Sequence, residues 1–301
     1  MSTNAWTKDK TKWIEFSNID GLVINGGGQI DGNGPVWWKS CNALSLHKCN
    51  NLQLSHIQHL NSPKGHISID ECNYVTISNL IITAPIESKN TDGIDISKSK
   101  YIKIDNSTIA TGDDCIAMGS GISNINITKV DCGPGHGISI GSLGKNGEYA
   151  TVENVYVSGC NFNGTTNGAR IKTWTDGSGY VRNVTFEHIT LINTKNPIII
   201  DQNYQDIVLN EIKNEGSGIE ISGVTYKNVI GTSASEVAIK LDCSSSKGCN
   251  NIFMDEISIT KEYEAGSSMS QPTVICKNVH GEAGSVKPPV PCLKTISHSA
   301  N

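Results

Sequence analysis

The segments "YVTISNLIIT" (74–83) and "YIKIDNSTIA" (101–110) show the same β-rich unit twice, with alternating apolar residues and turn-forming polar residues between them. Related units begin near residues 21, 51, 125, 154, 183, 218 and 251, at spacings of about 22 to 36 residues. Self-similarity of this kind indicates a repeat architecture in which each unit packs on its neighbours.

A second strand recurs between these units: "GHISID" (65–70), "DGIDIS" (92–97), "DCIAMG" (114–119), "HGISIG" (136–141), "ARIKT" (169–173), "PIIID" (197–201) and "VAIKL" (237–241). No stretch combines an apolar period of 3.6 with helix caps, so we expect very little helix. A propeller blade needs about 40 residues and four strands. Because these units are shorter, with two or three strands each, the sequence predicts an all-β, right-handed parallel β-helix that forms a single domain over residues 1–301.

The charge and hydropathy of the chain argue against two classes of partner. The net charge of −5 favours neither nucleic acid nor an anionic membrane surface. No run of 18 apolar residues occurs, so no membrane-spanning segment is predicted. We therefore expect neither nucleic acid nor a membrane as partner.

The ten cysteines are numerous for a cytosolic protein. Their spacing does not match a zinc site, so disulfides in an oxidising compartment are the better interpretation, although spacing alone leaves their pairing open. Six of them form close pairs in sequence: Cys115 and Cys132, Cys243 and Cys249, Cys276 and Cys292. Four acceptor sequons for N-glycosylation, at Asn106, Asn126, Asn163 and Asn183, agree with secretion. The tail from residue 284 is expected to be loop-like and held through Cys292.

Three polar residues occupy equivalent places in consecutive repeats. Asp92, Asp114 and His136 each stand two residues before an isoleucine of the second strand series. Neighbouring strands lie about 4.8 Å apart, so we expect these three side chains in one column, with Asp113 beside them.

The next repeat adds two basic residues to the same face. Arg170 and Lys172 flank Ile171 and, by the period of two, point away from the core. Singly, the aspartates would be ordinary turn formers or part of a calcium loop, the histidine a loop residue and the basic pair a solvated face. Their coincidence on one face favours a functional site.

Paired carboxylates of this kind suit glycoside hydrolysis, in which one donates a proton to the leaving oxygen and the other activates water. Repulsion between adjacent carboxylates would raise the pKa of one, and we expect it to keep a proton available. The basic pair beside them indicates that the sugar itself carries a carboxylate, as in uronic-acid polymers.

Four blocks of the chain resemble the signature segments of plant polygalacturonases, in the pectin-degrading glycoside hydrolase family 28. They are "NTDGID" (90–95), "GDDC" (112–115), "CGPGHGISIGSLG" (132–144) and "RIK" (170–172), with further similarity over 13–38 and in "PIIIDQNY" (197–204). The resemblance implies the pectin lyase-like β-helix and inverting hydrolysis of α-1,4-galacturonosyl bonds in homogalacturonan, with no metal or organic cofactor. It also implies a secreted protein of the plant cell wall, whose partner is pectic polysaccharide and which we expect to be a monomer.

The same resemblance implies roles for the acidic residues and the histidine. Asp113 would be the general acid, Asp92 and Asp114 would activate the water, and His136 would support the protonation state of the acid. It leaves endo and exo action open.

Substrate binding would fall to three further residues. Arg170 and Lys172 would bind the galacturonate carboxylate, and Tyr204 would contact the sugar.

Family members usually begin further upstream, with a signal peptide and an opening coil. Here the similarity starts near Trp13, so we expect this chain to lack those parts. Three alternatives stay open: a hydrolase of another pectic backbone such as rhamnogalacturonan, a calcium-dependent pectate lyase, and a non-catalytic pectin-binding homologue. The "NTDG" and "RIK" blocks argue against the first, and the "GDD" and "GHG" blocks are not needed by the second.

Overall fold

The computed structural model describes residues 11–34, 41–204, 218–261 and 271–296. Nearly all of their regular structure is β-strand, and the helical part is one 3₁₀ turn at Lys145–Gly147. Among these residues no helix has the length and apolar character needed to cross a membrane.

The strands, numbered along the chain, form two long sheets. The first sheet contains ten strands: β1 (Lys12–Ser17), β4 (Asn42–His47), β7 (Ile67–Asp70), β10 (Ile94–Ser97), β12 (Ile116–Met118), β14 (Ile138–Leu143), β17 (Asn167–Trp174), β19 (Asn196–Tyr204), β21 (Val237–Asp242) and β23 (Thr273–Lys277).

The second sheet contains the other sixteen strands. They are β2 (Val23–Asn25), β3 (Gln29–Asp31), β5 (Asn50–Ser55), β6 (Gln58–Leu60), β8 (Asn73–Ser78), β9 (Ile81–Thr83), β11 (Lys100–Ala110), β13 (Ile122–Cys132), β15 (Tyr149–Ser158), β16 (Asn161–Asn163), β18 (Ser178–Thr194), β20 (Glu220–Ser233), β22 (Cys249–Lys261), β24 (Val279–Ala283), β25 (Val286–Lys287) and β26 (Lys294–Thr295).

Each coil contributes one strand to the first sheet and one or two segments to the second, and every pairing is parallel between successive coils. The two series of strands predicted from sequence therefore separate cleanly, one to each sheet. Connections between parallel strands of one sheet are right-handed almost without exception. The predicted all-β parallel β-helix is confirmed.

Stacked isoleucines form the core between the sheets. Ile94, Ile116 and Ile138 lie in register on β10, β12 and β14, and all three are fully buried. At one corner of the second sheet the chain turns through left-handed residues such as Asn79 and Asn106, whose side chains hydrogen bond over 2.5 Å. Asparagine tolerates this conformation better than most residues, which explains its frequency at these corners.

The structure pairs six cysteines as the close pairs suggested: Cys115–Cys132, Cys243–Cys249 and Cys276–Cys292. The other four cysteines are free and buried. The Cys276–Cys292 bond ties down the C-terminal tail as predicted, although the tail also adds the short strands β25 and β26 to the second sheet.

Candidate active site

Asp92 and Asp114 lie side by side where β10 and β12 begin. The Gly93 N–H donates to the Asp114 carbonyl over 2.9 Å, which continues the register of the isoleucines that follow. The predicted stacking of these two aspartates is therefore present in the backbone.

His136 departs from the predicted column. Its backbone N–H donates to the Asp113 carbonyl over 2.7 Å, and its ring Nδ1 lies 2.9 Å from Asp113 Oδ1. The imidazole consequently pairs with Asp113 and not with the Asp92–Asp114 stack. The backbone register is kept, since Ile116 aligns with Ile138, so only the side chain of His136 leaves the column.

Asp114 is almost fully buried, at 2% exposure, and its carboxylate is surrounded by donors. Arg170 donates to Oδ1 over 2.5 Å and Lys172 to Oδ2 over 3.1 Å. The Ser139 hydroxyl also donates to Oδ1 over 2.9 Å while accepting from Arg170 Nε over 2.8 Å. Two cations and a hydroxyl thus fix this carboxylate, as burial of a charge requires.

Asp113 has a different set of partners. Its Oδ1 accepts from the Asp114 N–H over 2.9 Å in addition to facing His136, and its Oδ2 accepts from the Asn90 N–H over 3.1 Å. Burial alone would raise the pKa of Asp113, but the His136 hydrogen bond and charge, the Asp114 N–H and the charge of Lys172 together lower it. The expectation that mutual repulsion leaves Asp113 as the protonated carboxyl is therefore wrong for the free protein.

The raised pKa values belong to Asp92 and to Asp95, a residue that the sequence analysis did not single out. Burial and the charges of Asp95, Asp113 and Asp114 raise the pKa of Asp92. Burial and the charge of Asp114 raise the pKa of Asp95 to about 7, and its carboxyl hydrogen bonds with that of Asp92. This neighbouring pair holds a proton because two close, desolvated carboxylates resist ionising together.

A signal for Asp95 was present in "TDGIDIS". Asp95 stands between Ile94 and Ile96, so the period of two places it on the outer face. The ladder aligns it with Ala117, Ser139 and Arg170 on successive strands of the first sheet.

The carboxyl groups open into a cavity of about 350 Å³ whose lining includes Asp92, Asp95, Asp113, Asp114, Lys172 and Tyr204. Lys172 Nζ lies 5.5 Å from the centre of the Tyr204 ring. The ring of Trp174, also missed in the sequence, meets Tyr204 edge to face with centres 5.5 Å apart.

Close backbone packing holds the Asp113–Asp114 turn in place. A Cβ on Gly112 would lie 2.0 Å from the Ser88 carbonyl oxygen, so only glycine fits. Immediately after the turn, the buried Cys115 is bonded to Cys132, which anchors the turn to the next coil.

Potential metal-ligand atoms of Asp113, Asp114 and His136, two carboxylate oxygens and a ring nitrogen, lie within 4.8 Å of one another, close enough to bind one metal ion. However, Asp114 already accepts from Arg170 and Lys172, and the His136 Nδ1 faces Asp113. These contacts fit a charge-assisted hydrogen-bond network better than a metal centre.

A sequence profile described as "Glycosyl hydrolases family 28" matches residues 1–287. The chain belongs to glycoside hydrolase family 28.

It is 51% identical over 298 residues to a probable polygalacturonase of Arabidopsis thaliana, a match that covers 97% of this chain and 65% of the relative. It is 43% identical to polygalacturonase-2 of Solanum lycopersicum, covering 91% of this chain and 61% of the relative. The family 28 chain thus spans less than two thirds of the length of these relatives.

Solved structures of pectin-degrading enzymes share this family 28 fold. An endo-xylogalacturonan hydrolase from Aspergillus tubingensis superposes with a TM-score of 0.80 at 25% identity, over 100% of this chain and 82% of that one. A polygalacturonase from Erwinia carotovora superposes with a TM-score of 0.71 at 29% identity, over 88% of this chain and 72% of that one. These superpositions agree with the β-helix described above.

Proposed function

We propose that this family 28 chain is a polygalacturonase that hydrolyses α-1,4-galacturonosyl bonds of homogalacturonan with inversion. The observation that carries the proposal is the cavity in which Asp92, Asp113 and Asp114 meet next to Lys172. Glycoside hydrolysis needs one carboxylic acid and one carboxylate on either side of the scissile bond. The plant polygalacturonase relatives support the choice of substrate.

In this proposal Asp113 protonates the leaving glycosidic oxygen. Asp113 is ionised in the free protein because His136 and Lys172 favour its charged form. The hydrogen bond between His136 Nδ1 and Asp113 Oδ1 gives a route by which a proton can reach the carboxylate. The arriving polyanionic substrate favours the protonated form of Asp113, since added negative charge raises the pKa of a carboxyl group. His136 is thus the proton store for the acid.

Asp92 and Asp114 would hold the attacking water and receive its proton. The Asp114 carboxylate is held by hydrogen bonds from Arg170 and Lys172. Asp92 can accept a proton when its shared proton resides on Asp95, since the two carboxyls are hydrogen bonded. One proton leaves the site through Asp113 and one enters it from water, so the total is restored after each cycle.

Substrate binding would use the basic and aromatic residues beside these carboxylates. Lys172 and Arg170 offer two positive charges against the single charge of Asp114, which leaves an excess positive charge for a galacturonate carboxylate. The Tyr204 ring lies beside Lys172 and would contact the sugar.

Several features support a secreted, glycosylated protein of the plant cell wall. Three disulfides form in the structure, and the asparagines of all four sequons are exposed. The predicted monomer stays a prediction.

Reducing-end release from polygalacturonate, with absorbance of unsaturated uronides followed in the same sample, tests the proposal. We expect new reducing ends, no unsaturated product and no effect of a chelator. Unsaturated product lost on adding chelator would indicate a lyase. Folded protein that binds polygalacturonate and releases nothing would indicate a binding protein, and release from rhamnogalacturonan alone would indicate another pectic substrate.

A further inference from the structure

The first sheet continues past the basic pair from β17 onto β19 and β21. Lys172 lies in register with Asp201, and Asp201 with Asp242. Two residues earlier on the same strands, Arg170 lies in register with Ile199, and Ile199 with Lys240. A polysaccharide that runs along the first sheet from the cavity would therefore pass over Asp201, Lys240 and Asp242, which we call the acidic floor.

The charge of the acidic floor is the reverse of that at the basic pair. At Arg170 and Lys172, two cations share the single carboxylate of Asp114. At the acidic floor, one cation lies between two carboxylates, since Lys240 Nζ is 3.0 Å from Asp201 Oδ2 and 3.8 Å from Asp242 Oδ2. The first position has an excess positive charge and the second an excess negative charge.

The acidic floor is accessible to a ligand but is fixed by its own contacts. The side chains of Lys240, Asp201 and Asp242 are 31%, 20% and 21% exposed. Asp201 Oδ1 also accepts from the Asn203 N–H over 3.0 Å, which holds the carboxylate in place. Lys277 lies in register with Asp242 on the next strand, and it lines a separate small cavity with Cys243 and Ser244.

We propose that the sheet surface over Asp201, Lys240 and Asp242 accepts an uncharged sugar unit, such as a methyl-esterified galacturonate, and disfavours free galacturonate. Asp201 lies one strand spacing from Lys172, about 5 Å, and Lys240 and Asp242 lie on the strand after it, about 10 Å from β17, which corresponds to one to two sugar units along the chain. The inference rests on the proposed function. It predicts a preference for partly esterified pectin with a free carboxylate at the basic pair.

The preference has a simple electrostatic origin. A free galacturonate carboxylate above the acidic floor would face two carboxylates and a lysine that they already neutralise, and like charges brought together cost binding energy. A methyl ester removes the charge but keeps a carbonyl oxygen that can accept a hydrogen bond from Lys240. The ester therefore avoids the repulsion by Asp201 and Asp242 and keeps the hydrogen bond from Lys240.

The test compares kcat/KM on fully de-esterified homogalacturonan with kcat/KM on the same polymer after partial, random methyl esterification. The double variant Asp201→Asn, Asp242→Asn frees Lys240, and we expect it to shift the ratio toward the de-esterified polymer by about fivefold, the upper range for one partly exposed ion pair. Lys240→Met removes the only cation of the acidic floor, and we expect it to shift the ratio the other way.

A matched control changes the charge by the same amount elsewhere. Glu153→Gln, Glu187→Gln removes two carboxylates on the second sheet, which pair there with Arg182 and Tyr156. The control should leave the ratio unchanged, which separates a local effect from the change in net charge.

A second measurement keeps the two proposals distinguishable. It compares the Kd values for the de-esterified and the partly esterified polymer, with every variant made in an Asp113→Asn background. Absence of reducing ends from the parent protein contradicts the proposed hydrolysis, whereas the binding ratio still reports on the acidic floor. A ratio that does not move in the double variant or in Lys240→Met overturns the inference, whether or not the parent protein cleaves pectin.

Discussion

Two buried histidines should make the stability of this β-helix strongly pH-dependent. His59 and His66 are 1% and 0% exposed, and their rings meet edge to face with centres 5.8 Å apart. None of their four ring nitrogens has a hydrogen-bond partner among the described residues. Burial lowers the pKa of His59 from 6.5 to about 4, and burial together with the charge of His59 lowers that of His66 to about 3.

A lowered histidine pKa means that the folded state resists protonation while the unfolded chain accepts it. The stability contributed by the neutral rings is fully present above pH 6.5 and is lost as the pH falls toward 4 and then 3. At 1.36 kcal/mol per pH unit, each ring costs about 2 kcal/mol at pH 5, or about 4 kcal/mol for the pair. The raised pKa values of Asp92 and Asp95 act in the opposite direction, because their folded forms lose stability as the pH rises above 3.8.

The double variant His59→Leu, His66→Leu isolates the contribution of the pair, since all other titrating groups cancel in the comparison. We expect the free energy of unfolding, measured by urea denaturation, to fall by about 4 kcal/mol more in the parent protein than in the variant between pH 7.5 and pH 5. His280→Leu changes an exposed histidine and serves as the control. Equal pH dependence in the parent protein and the double variant would refute the reasoning.

Three further predictions concern the active site. Asp113→Asn removes the proposed acid and should lower kcat about 10²- to 10⁴-fold with little change in KM, measured by reducing-end release; an equal loss through KM would contradict that role. Asp95→Asn removes a charge that raises the pKa of Asp92, so the acidic limb of the kcat–pH profile should move to lower pH. A limb that stays in place or moves up would show that Asp95 does not act through Asp92. Replacing Cys115 and Cys132 by alanine opens a bond that spans 17 residues and should lower the free energy of unfolding by about 3 kcal/mol in urea denaturation, with no change expected if the bond does not form.

The fold was predictable because its determinants are local and repeated. Alternating isoleucines such as Ile94 and Ile96 specify a buried face within one strand, and the same pattern in each coil makes stacking the only way to bury every face. The two strand series in the sequence correspond to the two sheets. The cysteine pairs close in sequence also form the disulfides.

The site was predictable where register alone decides it. Aligning the isoleucines places Asp92 beside Asp114, because the period of two fixes every position along a strand. The contact of His136 lies outside that rule, since its ring pairs with Asp113 although Ile116 and Ile138 stay in register. Ser139 and Trp174 were missed because a serine or tryptophan in a strand has no distinguishing pattern.

The sequence by itself determined the β-helix, the order of its coils and most of the acidic and basic residues that share one face, with Asp95 as the exception. Only the tertiary structure decided which carboxyl carries the proton. Asp113 and Asp114 are neighbours in the chain, yet one faces His136 and the other faces Arg170 and Lys172, while the raised pKa values fall on Asp92 and Asp95. Burial and charged partners set a pKa, and here those partners come from other coils, up to 58 residues away in sequence.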